Sequence, residues 1–183
     1  MEFIEGVSLV LPEQIKEQLF KYRYDVFVGE MEWDLDVPFG KEVDQYDHDD
    51  TIYVIARNDS KEVIGCARLL PTTSPYLLEE VFPELLNGLN PPKSPDVWEI
   101  SRFTTLDLNG GSLEKNGQFS SNVAIDLLKN TIECARKHGA KRIISVSPIG
   151  VERLLRKAGF RAHRAGPPVI VDGHALFACW IDF

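Results

Sequence analysis

The second half of the chain alternates helical and extended signals, and this order limits the fold more than any single motif does. Val123, Ala124, Leu127, Leu128, Thr131 and Ala135 recur at helical spacing behind a cap at Ser121 or Asn122, and Gly139 ends the run. Lys141 to Ser147 reads as a strand. Ser147 is then expected to cap, with Pro148 at the first helical position, a helix through Val151, Leu154, Leu155 and Ala158 that stops at Gly159. A last strand is predicted from about Ala175 to Ile181. The first half has a different rhythm. After a short N-terminal strand, Pro12 and Glu13 open a helix to about Val28 along Ile15, Leu19, Tyr22 and Val26. Residues 29 to 50 are too polar for a regular element, yet they hold Trp33, Phe39 and Tyr46. Strands at 51–57 and 62–69 flank an Asn58–Lys61 hairpin, and a short helix at 77–82 leads into a connection with Pro91, Pro92 and Pro95. A strand at 97–106 suits the centre of a sheet. A hairpin followed by strand–helix alternation predicts a mixed sheet covered by helices, an α/β sandwich. With no repeat or linker, residues 1–183 are expected to form one domain.

An apolar fraction of 44% and a charged fraction of 26% are those of a soluble globular protein. The N-terminus lacks a basic and an apolar signal region, and no apolar run approaches the ~18 residues of a membrane span. A cytoplasmic location is therefore expected. Cys66, Cys134 and Cys179 sit in apolar contexts without metal-ligand spacing, as buried small hydrophobes do. The net charge of −8 argues against nucleic acid as a partner. That charge is uneven. Arg136–Arg164 contains nine Lys/Arg and one acid, Glu152, whereas Glu13–Asp50 contains twelve acids and four bases. Such a dipolar surface suits an acidic protein partner as well as it suits solubility.

Two segments carry charged groups in places suited to chemistry. In Trp98-Glu99-Ile100-Ser101-Arg102-Phe103, alternation sends Glu99 and Arg102 to opposite faces, and a β-bulge would bring them toward one cavity. A structural ion pair and a catalytic pair explain these six residues equally well. The acid run from Glu42 to Asp50 lacks the glycine and terminal glutamate of a calcium loop, so no metal is expected there. Its carboxylates either form a solvated loop or hold a cationic ligand, with Arg23 and Arg68 placed to pair with them. Gly110-Gly111 reads as a turn, and His48, His138, His163 and His174 have no ligand spacing.

Taken together, the motifs resemble the LuxI-type acyl-homoserine lactone synthases. The matching pieces are Tyr22–Phe27, Trp33, Glu42–Asp47, Gly65–Thr73 and Trp98–Phe103, while Gly150–Arg156 and His163–Pro168 especially resemble members from Acinetobacter and Burkholderia. The resemblance implies a Gcn5-related N-acetyltransferase-like α/β/α sandwich with a mixed, mostly antiparallel sheet. It implies two substrates: S-adenosyl-L-methionine, which is consumed and is no cofactor, and an acyl group on acyl carrier protein. The amine attacks the thioester, and the methionine carboxylate then closes on its own γ-carbon, expelling methylthioadenosine.

Several site residues follow from the resemblance. Glu99, Arg102, Asp44 and Asp47 are expected in the catalytic centre, with Arg23, Phe27, Trp33, Arg68 and Phe103 around adenosylmethionine. Glu99 is a candidate base acting through water, the aromatic rings face the sulfonium, and Arg23 or Arg102 holds the methionine carboxylate. Amides near Arg102 and Phe103 polarise the thioester carbonyl. Ser101, Thr104, Ser145, Ser147 and Leu155 are expected to wall the acyl pocket for a medium or long chain. Arg153, Arg156 and Lys157, with Lys141, Arg142 and Arg164 nearby, form the expected dock for acyl carrier protein on a monomeric enzyme. Two rival functions make different demands on the sequence. An acetyl-CoA-dependent acetyltransferase would need a pyrophosphate loop between Arg102 and Ser121, where the sequence has none. A non-catalytic acyl-sensing module would need no Glu99–Arg102 geometry.

Overall fold

The computed structural model describes residues 1–108 and 122–183. The turn expected at Gly110-Gly111 and the cap at Ser121 lie outside them. Among the described residues eight strands form one sheet in the order β1-β2-β3-β4-β5-β8-β6, with β7 also paired to β8. The strands are β1 (Glu2–Val7), β2 (Ile52–Arg57), β3 (Val63–Pro71), β4 (Val97–Thr104), β5 (Arg142–Pro148), β6 (Arg161–Arg164), β7 (Val169–Val171) and β8 (His174–Asp182). All neighbours are antiparallel except β4 and β5, whose parallel pairing runs from Val97–Arg142 to Ile100–Ser145. That ladder ends there although β4 continues to Thr104 and β5 to Pro148. Beyond Ile100 and Ser145 the two central strands are no longer paired with each other, which is the one opening in the ladder between them.

Helices cover both faces. On one side α3 (Asn122–Lys137) and α4 (Val151–Lys157) bury Leu127, Leu128, Ile132, Leu154 and Leu155 against Ile52, Val54, Leu69, Trp98 and Ile143. On the other side α1 (Glu13–Arg23) packs Leu19 and Tyr22 on Tyr53, Ile55 and Cys66, while α2 (Leu77–Glu80) packs Leu78 near Leu70 and Ile144. Alternate β2 residues thus serve opposite cores, as period-two geometry requires of a strand buried on both sides. This is the expected α/β/α sandwich.

Three local departures from the sequence pattern matter for the site. The first helix ends at Arg23 and continues as a π-type turn over Tyr24–Glu30, closed by the Met31 amide on the Val26 carbonyl at 2.8 Å. Ser147 and Pro148 do not start a helix. They extend β5 opposite Phe177 and Leu176, and the Ser147 hydroxyl is spent on Ser145 Oγ at 2.9 Å, so α4 begins at Val151 without a side-chain cap. β6 and β7 were not expected either. Both supply outer partners of β8, and β7 reaches it through Asp172-Gly173, whose φ angles of 48° and 80° fit the tight turn of a two-residue hairpin.

Candidate active site

A bulge in β4 creates the site. Cys66 pairs with Thr104 and Arg68 with Ser101, so β4 carries one residue more than β3 across this stretch. Arg102 absorbs it with φ 51°, a left-handed conformation that non-glycine residues seldom adopt. The parity then changes. Trp98 and Ile100 face α3, Phe103 joins them against that core, and Arg102 turns to the α1 side with Glu99, Ser101 and Thr104.

On that side six charged groups close a network. Arg23, at the end of α1, donates from Nε to Glu42 Oε2 at 2.5 Å and from its two terminal nitrogens to both Asp47 oxygens at 2.8 and 2.9 Å. Arg102 reaches Glu42 from Nε and Nη2 at 3.1 and 2.9 Å, and Asp44 Oδ2 from Nη2 at 2.8 Å. Arg68 donates from Nε to Ser101 Oγ at 3.0 Å and from Nη1 to Asp44 Oδ1 at 2.6 Å. Tyr53 adds its hydroxyl to Asp47 at 2.7 Å. Three guanidinium and three carboxylate groups balance, which buried charges require. Burial pushes Asp47 upward, but Arg23 and Arg68 outweigh it and hold its carboxyl far below the ordinary value. Arg23 and Arg102 likewise hold Glu42 down against its own desolvation.

Access to this network comes from one side. The side chains of Arg23, Glu42, Asp47 and Arg68 are sealed, while Asp44 is 15% and Arg102 8% exposed. Beside Arg102, Phe27 and Trp33 stack at 4.8 Å between ring centroids, and its guanidinium lies 5.5 and 5.8 Å from those rings. Trp33 is 40% exposed, so an aromatic face remains open to a ligand.

Glu99 lies on the same face but outside the network. It is fully buried and accepts the α2 amides of Leu77 at 3.1 Å and Leu78 at 2.7 Å. Burial pushes its carboxyl up to about 7, although the two amides and the nearby Arg68 and Arg102 favour the ionised form.

The residues expected around the acyl chain divide between the faces. Ser101 and Thr104 lie on the α1 side, whereas Ser145, Ser147 and Leu155 face α3 and α4 with Phe177 and Cys179. The sheet itself lies between the two groups, at the level where the β4–β5 pairing has ended. Arg153, Arg156 and Lys157 are exposed on α4. Of the other basic residues named for docking, Lys141 pairs with Asp96, Arg142 with Asp182 and Arg164 with Glu152. Glu42 belongs to the acid run but not to the site residues that the resemblance implies, and Tyr53 carries no sequence signal; both complete the network. The three cysteines are free and buried, as expected, and no helix among the described residues is long and apolar enough to cross a membrane.

The α/β/α sandwich thus carries a buried, charge-balanced network beside the end of the β4–β5 ladder. Residues 8–183 match the autoinducer synthase family model, and the chain belongs to that family. It is 50% identical over 182 residues to the acyl-homoserine-lactone synthase of Acinetobacter nosocomialis, covering 100% of both chains. Its fold superposes on the crystal structure of TofI in a ternary complex with an inhibitor and MTA with a TM-score of 0.84, at 43% identity over 100% of this chain and 91% of TofI. It superposes on BjaI, a CoA-dependent acyl-homoserine lactone synthase with SAM and isopentyl-CoA, with a TM-score of 0.83 at 29% identity over 97% and 81%. A putative N-acetyltransferase from Lactobacillus plantarum shares the fold alone, at a TM-score of 0.62 and 17% identity over 99% and 97%. The activity is therefore acyl transfer in acyl-homoserine-lactone synthesis.

Proposed function

We propose that the acyl donor is a medium- or long-chain thioester on acyl carrier protein and that the acceptor is S-adenosyl-L-methionine. The amine nitrogen attacks the thioester carbon, and the C–S bond breaks to free the carrier thiol. The methionine carboxylate then displaces neutral methylthioadenosine from the γ-carbon, leaving the lactone. Adenosylmethionine is consumed, so the reaction needs no cofactor. The observation that carries this reading is the buried network with one accessible edge, formed by Asp44, Arg102 and Trp33, beside the opening of the sheet.

Each part of the substrate has a complementary group at that edge. Trp33 and Phe27 offer an aromatic face to the sulfonium, and Asp44 offers the most accessible carboxylate of the network to the amine. Arg102 is the arginine for the methionine carboxylate, because Arg23 spends all its nitrogens on Glu42 and Asp47. Glu99 has no exposed surface and takes the amine proton through water. The bulge leaves backbone groups at 102–103 outside the ladder, where an amide can polarise the thioester carbonyl. The acyl chain passes between β4 and β5 toward Ser145, Ser147 and Leu155. Acyl carrier proteins are acidic, and the exposed Arg153, Arg156 and Lys157 supply a complementary face on α4. The enzyme acts as a cytoplasmic monomer.

The test is to incubate the protein with adenosylmethionine and matched panels of acyl carrier protein and CoA thioesters, analysing products by mass spectrometry. Lactone and methylthioadenosine should form in equal amounts and faster from the carrier protein. Faster turnover of the CoA thioesters would overturn the donor assignment.

A further inference from the structure

The acid loop and the turn that holds Glu99 are joined through one side chain. Tyr46 is 2% exposed and lies between Asp44 and Asp47 in sequence. Its amide donates to Asp44 Oδ1 at 2.9 Å and its carbonyl accepts the Thr51 hydroxyl at 2.7 Å. The Arg68 guanidinium sits 5.4 Å from its ring. The far end of the same side chain leaves the network. Its hydroxyl donates to Glu80 Oε2 at 2.8 Å, and Glu80 is the last residue of α2. The first two amides of that turn, Leu77 and Leu78, hold the two Glu99 oxygens. Burial and the Glu80 carboxylate both push the phenol upward, so it remains a donor throughout the working pH range.

We propose that Tyr46 is a positioning residue for the reaction: its bond to Glu80 holds α2, and α2 in turn holds the Glu99 carboxylate. α2 spans only four residues and has no side-chain cap of its own. A single helical turn has little intrinsic stability, so tertiary contacts must fix its amides. The inference rests on Glu99 as the proton acceptor. Charged or titratable groups facing Glu99 are Arg68 from β3, Arg102 from β4 and Tyr76 at the start of α2. Tyr46→Phe and Glu80→Ala leave all three in place.

The test uses Tyr46→Phe, Glu80→Ala and the double variant. Glu80 is exposed, so its replacement leaves the core intact if Tyr46→Phe fails to fold. The first measurement is hydrogen exchange at the Leu77 and Leu78 amides, which needs no turnover. Both variants should accelerate it about tenfold, and the double variant should exchange no faster than either single one. The second measurement is the pH profile of acyl transfer with saturating adenosylmethionine. Weaker amide bonds stabilise the ionised carboxylate less, so the acid limb should move to higher pH, with activity near the parent's at pH 9. Unchanged amide exchange, or additive effects in the double variant, overturns the link through α2. Faster exchange with an unmoved acid limb overturns the positioning role and locates the fault in the assignment of Glu99. A parent protein that forms no lactone fails at the earlier step.

Discussion

Arg102 grips Glu42 through Nε and Nη2 from a left-handed position in β4, while Arg23 takes the same carboxylate from the end of α1. Glu42 therefore joins the first helix, 19 residues before it, to the central strand, 60 residues beyond it. A left-handed non-glycine residue costs on the order of 1–3 kcal/mol and persists only where its surroundings hold it. Removing one partner from a buried ion network leaves the others desolvated and unpaired. Glu42→Ala should lower the unfolding free energy by about 3–5 kcal/mol, measured by urea denaturation at neutral pH. A loss below about 1 kcal/mol, the value of an exposed ion pair, would show that solvent replaces Glu42 at little cost.

Glu99 gives stability a pH dependence opposite to that of most carboxylates. Its folded value, raised by burial to about 7, lies above the ordinary 4.5, so the folded state binds the proton more tightly than the unfolded chain. The stabilisation is complete below pH 4.5 and is lost as pH rises through 7. Its upper bound is about 3 kcal/mol, taking 1.36 kcal/mol per pH unit. Glu99→Gln removes the titration while keeping a neutral acceptor. Relative to the parent, this variant should be more stable at pH 8 than at pH 5. The depressed Asp47 and Glu42 act the other way, losing stability as pH falls below the ordinary carboxylate range. Glu99→Gln should also slow acylation at neutral pH at least tenfold, and undiminished acylation would remove Glu99 from proton transfer.

Elements governed by local pattern were legible, and those governed by distant partners were not. α3 announces itself because Leu127, Leu128, Thr131 and Ala135 repeat at helical spacing, and those residues are buried. A bulge in β4 is legible as a possibility, because strict alternation would put Glu99 and Arg102 on opposite faces. Its position is not, since it depends on Glu42 arriving from the 42–47 loop. Within that loop Glu42 looks like any other acid; its burial is decided by its amide bonding to the Phe20 carbonyl and by two arginines. Ser147-Pro148 is a sound local helix start, but pairing with Phe177 and Leu176 prolongs β5 instead. For β7 a signal was available in Asp172-Gly173, directly after Val169-Ile170-Val171.

Trp33 should separate binding from stability. It is 40% exposed and contributes a stacked face beside Arg102 and Phe27, with little of the core resting on it. A desolvated cation–π contact is worth about 0.5–2 kcal/mol. Trp33→Leu should raise the dissociation constant for adenosylmethionine about 2- to 30-fold. The unfolding free energy should change by less than about 1 kcal/mol. Isothermal calorimetry measures the first and urea denaturation the second. Equal loss in both would make Trp33 a packing residue of the π-type turn.

The exposed cations on α4 predict a different split. Arg153 on one side and Arg156 and Lys157 on the other flank buried Leu154 and Leu155 in one short helix, so the apolar side anchors α4 and the charged side faces outward. Charges at the rim of an interface chiefly affect encounter, and their effect weakens with salt because the screening length is about 8 Å at physiological ionic strength. Arg153→Glu with Arg156→Glu should raise the Michaelis constant for an acyl carrier protein thioester about tenfold at low salt. That constant should converge toward the parent's value near 0.5 M salt, while the one for adenosylmethionine stays within about twofold. Steady-state kinetics with each substrate varied in turn, at two salt concentrations, measures both. An equal rise for the two substrates, or one insensitive to salt, would place the docking face elsewhere on the molecule.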